Sequence, residues 1–462
     1  MIIRNFFDEK LAQASYLVGC AVTGEAILID PSRVIQPYLD MAASQGLRIT
    51  AVTETHIHAD FLSGSREVAA ATGAKIYLSD EGDADWKYSY GCEGCVSFLH
   101  DQGVISIGNL TLKAIHTPGH TPEHLSFLLT DHPASEVPHS LFSGDFLFVG
   151  DVGRPDLLER AAGYEGTMEN AARSLYRSLT LLESLPDSLL IWPGHGAGSA
   201  CGKSLGGSPV TSLGYERASN WALQAMPEEQ FVAEVLRGQP EPPVYFKEMK
   251  RMNKQGPKVL GGLPLIPRVT KPVGQLVDVR SADEIRKSSF ADSLAIPGGK
   301  GFTNWAGWLL AYGKPVTLLT DSLATAMQAT RDLATIGLDD VIGWIDPGDL
   351  APDGFAPMAT VAATAVDHDS FILDVRSRNE RAASRIEGST HIPLGELQSR
   401  MGEVPRDRKV TVHCASGARS TIAYSILRNA GLTNLVELEG GISAYFHNHG
   451  QLPGCASGPT KG

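Results

Sequence analysis

The chain has 462 residues, 43% apolar and 20% charged, the balance of a soluble globular protein with room for about three domains. A formal net charge of −13 argues against nonspecific attraction to nucleic acid or to an anionic membrane surface. The opening Met1-Ile2-Ile3-Arg4-Asn5 has no secretory core, no apolar run approaches the ~20 residues that span a bilayer, and six cysteines do not make a disulfide scaffold in so long a chain, so a cytoplasmic protein with reduced thiols is expected.

Residues 15–18, 26–29 and 49–53 are rich in apolar and branched side chains and read as strands. Residues 63–71 read as a helix opened by a Ser cap. Further strands follow at 76–78, 104–107, 110–115 and 125–129, then a helix at 169–182 and a strand at 189–192. Many strands with helices between and outside them predict an α/β fold, a four-layer αβ/βα sandwich. The texture changes at 237–273, where a Pro-rich stretch, a basic stretch and the extended Leu263-Pro264-Leu265-Ile266-Pro267 place a boundary near 255–265. Two βα units then echo each other. Leu276-Val277-Asp278-Val279-Arg280-Ser281 recurs as Ile372-Leu373-Asp374-Val375-Arg376-Ser377 one small-domain length later, which marks a tandem duplication. The expected domains are 1–255, 268–350 and 359–455.

Metal-ligand candidates arrive at strand ends. His56, His58 and Asp60 lie in Thr55-His56-Ile57-His58-Ala59-Asp60-Phe61, His120 in Thr117-Pro118-Gly119-His120-Thr121, Asp145 after Phe142-Ser143-Gly144, and His195 in Trp192-Pro193-Gly194-His195-Gly196. Loops on a rigid scaffold are where such groups converge. In this order the residues resemble the metallo-β-lactamase fold, and most of all its persulfide dioxygenase branch. The resemblance implies one Fe(II) per chain held by His56, His120 and Asp145, a facial triad with positions left for O2 and substrate. It makes His58, Asp60 and His195 groups that orient the ligands or water. Two-metal hydrolases of this superfamily have a His where this chain has Phe61, and a phenyl ring donates no lone pair. The resemblance also puts Arg154 near a substrate entrance, where it can grip a carboxylate or phosphate by a forked contact. Cys201 lies in the Gly-rich stretch after His195, which resembles fused dioxygenase–sulfurtransferases, and is a candidate to carry or accept sulfur. Cys92-Glu93-Gly94-Cys95 is a lone CxxC, a weak zinc or redox signal, and is given a local structural role.

The second constellation is His413-Cys414-Ala415-Ser416-Gly417-Ala418-Arg419-Ser420, between a strand at 409–412 and a helix running to about 429. A Cys at a strand-to-helix junction meets unpaired N–H groups and the positive end of a helix dipole, and Arg419 adds charge, so thiolate is favoured. Four residues separate Cys414 from Arg419, one fewer than in protein tyrosine phosphatases, and the tighter ring suits sulfur better than a phosphoryl group. With Asp374-Val375-Arg376, His391-Ile392-Pro393 and Glu439-Gly440-Gly441, residues 359–455 look like a rhodanese domain. The middle copy has Thr320-Asp321-Ser322 after its strand, with Asp321 expected at the nucleophile's place, and reads as an inactive rhodanese-like domain with a structural or interfacial role that points to a homo-oligomer.

Together these resemblances imply a persulfide dioxygenase fused to a sulfurtransferase in sulfide detoxification. Its partners are a small thiol persulfide, O2 and sulfite or thiosulfate, with the thiol carrier open among glutathione, coenzyme A, bacillithiol and cysteine. The competing reading is a zinc-dependent thioester hydrolase resembling glyoxalase II, with an accessory sulfurtransferase.

Overall fold

The structure is a computed structural model that describes residues 1–91, 94–160, 166–197, 199, 201–202 and 205–449. The chain divides into two compact units, Met1–Leu263 with Ala334–Gly337, and Pro264–Leu333 with Leu338–Gly462.

The first unit is built on two six-stranded sheets. One runs in sequence order through β1 (Ile2–Asp8), β2 (Gln13–Cys20), β3 (Glu25–Ile29), β4 (Arg48–Thr53), β5 (Lys75–Ser79) and β6 (Val96–Leu99). The other contains β7 (Val104–Ile107), β8 (Leu110–His116), β9 (Leu125–Asp131), β10 (Ser140–Gly144), β11 (Leu190–Pro193) and β12 (Thr211–Ser212). Successive strand side chains point to opposite faces, so each sheet feeds two cores. Tyr16, Val18, Ile27, Leu112, Phe127 and Phe142 fill the space between the sheets. Leu17, Leu28, Val52 and Ile76 meet the outer layer that includes Tyr38 and Val68 of the helices Gln36–Ser44 and Ser65–Thr72. Leu141 and Ile191 meet Leu175 and Phe231 of the helices Met168–Leu179 and Glu228–Leu236. Three cores separate four layers. Because β2 is covered on both faces it is buried throughout, and after Gln13 it is apolar or small, with no polar alternation to read.

Sequence reasoning passed over β1, β6 and β10, and the helix Gln36–Ser44. β1 is half-buried along most of its length, so it lacks a clean period. β10 (Ser-Leu-Phe-Ser-Gly) is fully buried, its serines satisfied locally: Ser143 Oγ donates to the Leu147 carbonyl at 2.6 Å.

In the second unit a parallel four-stranded sheet runs β15-β13-β16-β17, from β13 (Gln275–Asp278), β15 (Leu294–Ala295), β16 (Val316–Leu319) and β17 (Val341–Ile345), and the short β14 (Ser289–Phe290) pairs with β18 (Phe355–Ala356). The last part repeats that order as β21-β20-β22-β23, from β20 (Phe371–Asp374), β21 (Thr390–His391), β22 (Val410–His413) and β23 (Leu435–Leu438), with β19 (Thr360–Val361) added at the edge. The likeness extends to detail. Asp278 is forked by Arg280 as Asp374 is by Arg376, and capping boxes Ser281/Glu284 and Ser377/Glu380 open matching helices.

The register corrects one expectation. Asp278 lies opposite Leu319, and Asp374 opposite His413. The residue matching Cys414 is therefore Thr320, with Asp321 one place further on. Thr320 is fully buried, and its alcohol forms no persulfide, so the middle half still lacks the nucleophile.

Gly119 sits at φ +148°, and a Cβ there would lie 2.6 Å from the Leu175 Cα on helix Met168–Leu179. Gly119→Ala is expected to cost about 2 kcal/mol or more, as backbone strain and overpacking combine. Urea unfolding followed by circular dichroism checks it, and metal retention should weaken in parallel because His120 is the next residue.

Candidate active sites

The strand ends of the first unit bring His56, His120 and Asp145 together, with one ligand atom from each lying within 4.8 Å of the others. All three are buried. Their orientation is set by a layer of partners. Thr55 Oγ1 donates to Asp30 Oδ2 at 2.8 Å and so accepts from His56 Nδ1 at 3.0 Å, which leaves His56 Nε2 its lone pair. His120 Nδ1 donates to the Arg154 carbonyl at 3.0 Å, which frees its Nε2 in the same way. The backbone N–H of Asp145 donates to His124 Nε2 at 3.1 Å, and His124 Nδ1 in turn faces Thr117 Oγ1 at 2.8 Å.

Protonation follows from the same surroundings. Burial, reinforced by the neighbouring His58, His120, His124 and His195, pushes His56 well below its ordinary value and keeps the ring neutral. Burial also lowers His120. For Asp145, burial works upward but His195, His120, His58 and His124 outweigh it, and the carboxyl is lowered. Neither Asp145 oxygen has a hydrogen-bond partner among the described residues, although His120 Nε2 lies 3.3 Å from Oδ2 and His195 Nε2 3.5 Å from Oδ1. A buried carboxylate without donors is costly unless a cation faces it. Two neutral imidazoles and one carboxylate therefore fit a divalent metal.

His58 belongs to a different cluster. Its Nε2 lies 3.0 Å from Asp30 Oδ1 and 3.2 Å from Glu54 Oε2. Burial acts to lower this imidazole, but the two carboxylates prevail and raise it well above its ordinary value. Phe61 is completely buried, with its ring 4.4 Å from that of His58. Asp60, His195 and Cys201 form a third group. His195 Nε2 lies 3.3 Å from Asp60 Oδ2, and His195 Nδ1 donates to the Ala12 carbonyl at 3.0 Å. Burial first, then Asp145 and Asp60, push the Cys201 thiol well up.

Arg154 does not stand at an entrance. It is completely buried, its Nε and Nη2 grip Asp156 at 2.7 and 2.8 Å, and Nη2 also donates to the Pro240 carbonyl at 2.6 Å. A carboxylate two residues away reaches the guanidinium before any ligand does. Cys95 is disulfide-bonded, against the expectation of reduced thiols throughout, while Cys20, Cys201 and Cys414 are free and Cys92 lies outside the described residues. Sequence reasoning missed Asp30, Glu54 and His124. Asp30 directly follows β3 in a left-handed conformation (φ +51°), and Glu54 sits between β4 and the histidine motif, so both carried a positional signal as strand-end carboxylates.

In the second unit Cys414 follows β22 and is 1% exposed. The Gly417 N–H donates to its Sγ at 3.1 Å, and Ser420 Oγ lies 3.5 Å away. Arg419 Nη1 and Nη2 donate to the two Glu380 oxygens at 2.6 and 2.7 Å. Burial acts to raise Glu380, but the Arg419 fork and the Ser377 donors outweigh it and bring the carboxyl down to about 2. The Cys414 and Ala415 carbonyls accept from Ile442 and Ser443 at 2.9 and 3.1 Å, at the start of helix Gly441–His449. The Glu439-Gly440-Gly441 turn thus closes the loop from below.

A sandwich with histidines and aspartates on its strand ends is the architecture of metal-dependent enzymes, and residues 9–195 match the metallo-beta-lactamase superfamily while 359–448 match the rhodanese-like domain. A solved metallo-beta-lactamase from Staphylococcus aureus subsp. aureus COL is 42% identical, with a TM-score of 0.70, over 75% of this chain and 99% of that one. The chain belongs to the metallo-beta-lactamase superfamily, and it carries a C-terminal rhodanese domain. A hydroxyacylglutathione hydrolase of Rhodospirillum rubrum is 34% identical over 39% of this chain, which spans 60% of that relative's length. The mitochondrial persulfide dioxygenase ETHE1 of Bos taurus is 29% identical over 42% of this chain and 68% of its own. Among the described residues no helix is long and apolar enough to cross a membrane.

Thr55→Val removes the hydroxyl that orients His56 and is expected to weaken metal binding about 10–100-fold, measured by competition with a chromophoric chelator. A carboxyl lowered in the folded state stabilises above its unfolded pKa and loses that contribution as pH falls. The melting temperature should therefore drop as pH falls from about 4.5 to about 2 through the Glu380 contribution, and Glu380→Gln should flatten that limb in scanning calorimetry.

Proposed function

We propose that the first unit is a mononuclear Fe(II) persulfide dioxygenase and that Cys414 serves a thiosulfate sulfurtransferase. One observation carries the first assignment. His56, His120 and Asp145 converge in the protonation states a single divalent ion needs, while His58 is taken up by Asp30 and Glu54 and Phe61 fills the adjoining place. The similarity to a persulfide dioxygenase, together with a rhodanese domain in the same chain, supports the choice of substrate.

The reaction takes R–S–S–H, O2 and water to R–SH, sulfite and two protons, with the outer sulfur giving up the four electrons that O2 gains. A ferrous ion held by His56, His120 and Asp145 supplies the redox chemistry that O2 activation requires. The chain's own groups hold those ligands in their tautomers through Asp30–Thr55 and the Arg154 carbonyl. Cys201, a neutral buried thiol beside Asp60 and His195, offers a soft surface to the persulfide sulfur. Arg154 is reassigned from gripping substrate to supporting His120. In the second unit, Cys414 attacks the outer sulfur of thiosulfate. A new S–S bond forms at Cys414, the old one breaks, and sulfite leaves; the reverse step returns thiosulfate. The Gly417 N–H and Arg419 stabilise the negative sulfur. The middle half is assigned as a rhodanese-like domain without a nucleophile.

Purified protein loaded with iron is expected to bind about one Fe(II) per chain and to consume O2 with glutathione, coenzyme A, bacillithiol or cysteine persulfide, the fastest naming the carrier. Cys414→Ser should keep O2 uptake and lose thiosulfate formation, and Asp145→Asn should do the opposite when sulfite and persulfide are supplied. Zinc in place of iron, together with rapid S-lactoylglutathione hydrolysis, would establish the thioester hydrolase that the Rhodospirillum rubrum relative favours.

A further inference from the structure

We propose that the middle half of the second unit acts as a brace for the Cys414 loop, with Arg286 as its positioning residue; this rests on the sulfurtransferase reading above. The helix Ala418–Asn429, which carries the loop, is held by the middle half at both ends. At its C-terminal end Arg428 Nη1 donates to Ser289 Oγ at 2.6 Å and Nη2 to the Phe290 carbonyl at 2.7 Å, while Asn429 Nδ2 donates to the Ser293 carbonyl at 3.0 Å. Midway, the Ala295 N–H of β15 donates to Ser425 Oγ at 3.0 Å. At the N-terminal end stands Arg286, from the helix Ala282–Lys287.

Arg286 Nε donates to Glu437 Oε2 at 2.8 Å and Nη2 to Oε1 at 3.3 Å, while Nη1 donates to Asp283 at 2.8 Å. Glu437 is 1% exposed on β23. Its Oε1 also accepts from Ser420 Oγ at 2.6 Å, and Ser420 Oγ is the atom 3.5 Å from Cys414 Sγ. The backbone of Gly417, at φ +123°, packs directly on Arg286 Nη2, where a Cβ would clash. Gly417 is also the residue whose N–H reaches the sulfur. One guanidinium from the half without a nucleophile thus neutralises the buried carboxylate behind Ser420 and supports the loop glycine. Without it, Glu437 remains as an uncompensated buried charge one hydroxyl away from a sulfur that becomes negative in each turnover. The geometry gives the half with Thr320 at the matching position a physical role beside the half with Cys414.

The test uses the full-length chain with thiosulfate as donor and cyanide as acceptor, reading thiocyanate. Arg286→Met is expected to lower kcat about tenfold and to leave KM for thiosulfate within about twofold, because Arg286 touches the loop and not the anion. Arg286→Lys, which keeps the charge but not the fork, should fall between the two. Arg286→Met combined with Glu437→Gln should recover most of the loss, because the unpaired carboxylate is gone; a merely structural defect would not be relieved in this way. Wild-type kcat in Arg286→Met, or in Arg286→Lys if the Met variant does not fold, overturns the proposal. So does a rise in KM alone, which would make Arg286 an anion subsite, or a double variant no faster than the single one. Absence of thiocyanate with the wild-type chain would sink the sulfurtransferase reading itself, and the brace with it.

Discussion

The first unit is organised around a buried carboxylate, that of Asp145, which has no hydrogen-bond donor among the described residues. Asp145 sits at the end of a fully buried strand, stays charged because four imidazoles face it, and has both oxygens without hydrogen-bond partners among the described residues. Folding to such a state is uphill unless a cation completes it. The surrounding network follows from that need. Asp30, through Thr55, presents His56 with its lone pair inward; the Arg154 carbonyl does the same for His120; His124 holds the Asp145 backbone. These groups come from the segments that follow β3, β4, β8 and β10, which only the closed sandwich brings to one point.

The second unit meets a related electrostatic problem with opposite means. Here the central atom is the buried sulfur of Cys414, and the structure surrounds it with donors and paired charges. Gly417 supplies an N–H, Arg419 is fixed by Glu380, and Glu437 is neutralised from outside its own half by Arg286. The duplicated sheets share strand order and the Asp–Arg fork, yet one has Cys414 after its central strand where the other has Thr320. Burial of helix Ala418–Asn429 against the other half gives that second copy a physical role that needs no chemistry of its own.

Much of the candidate site was legible because its histidines, aspartates and cysteine occupy strand ends marked by short motifs. His56, His120 and Asp145, which the structure brings together, could be named as candidates from their order along the chain and the resemblance it carries, and Cys414 with Arg419 from their motif and loop length. The strands that escaped detection were those with no surface period, such as β1 and β10. Arg154 misled for a similar reason: a charged residue in a Gly-rich loop reads as exposed, and nothing in its neighbours reveals that Asp156 and the Pro240 carbonyl enclose it. The middle nucleophile position slipped by one residue because apolar runs do not fix where a strand ends, whereas the ladder from Asp278 to Leu319 does.

By itself, the order of residues determined the layered α/β architecture, the duplication, and the identity of the chemically able side chains, because periodicity and donor type are properties of local sequence. Tertiary structure alone decided which donors share a point, which histidine is diverted to Asp30 and Glu54, and which arginine braces the Cys414 loop. Those outcomes depend on distances of a few ångströms between segments far apart in sequence, 151 residues from Arg286 to Glu437, and on the loss of water that makes each buried charge seek its partner.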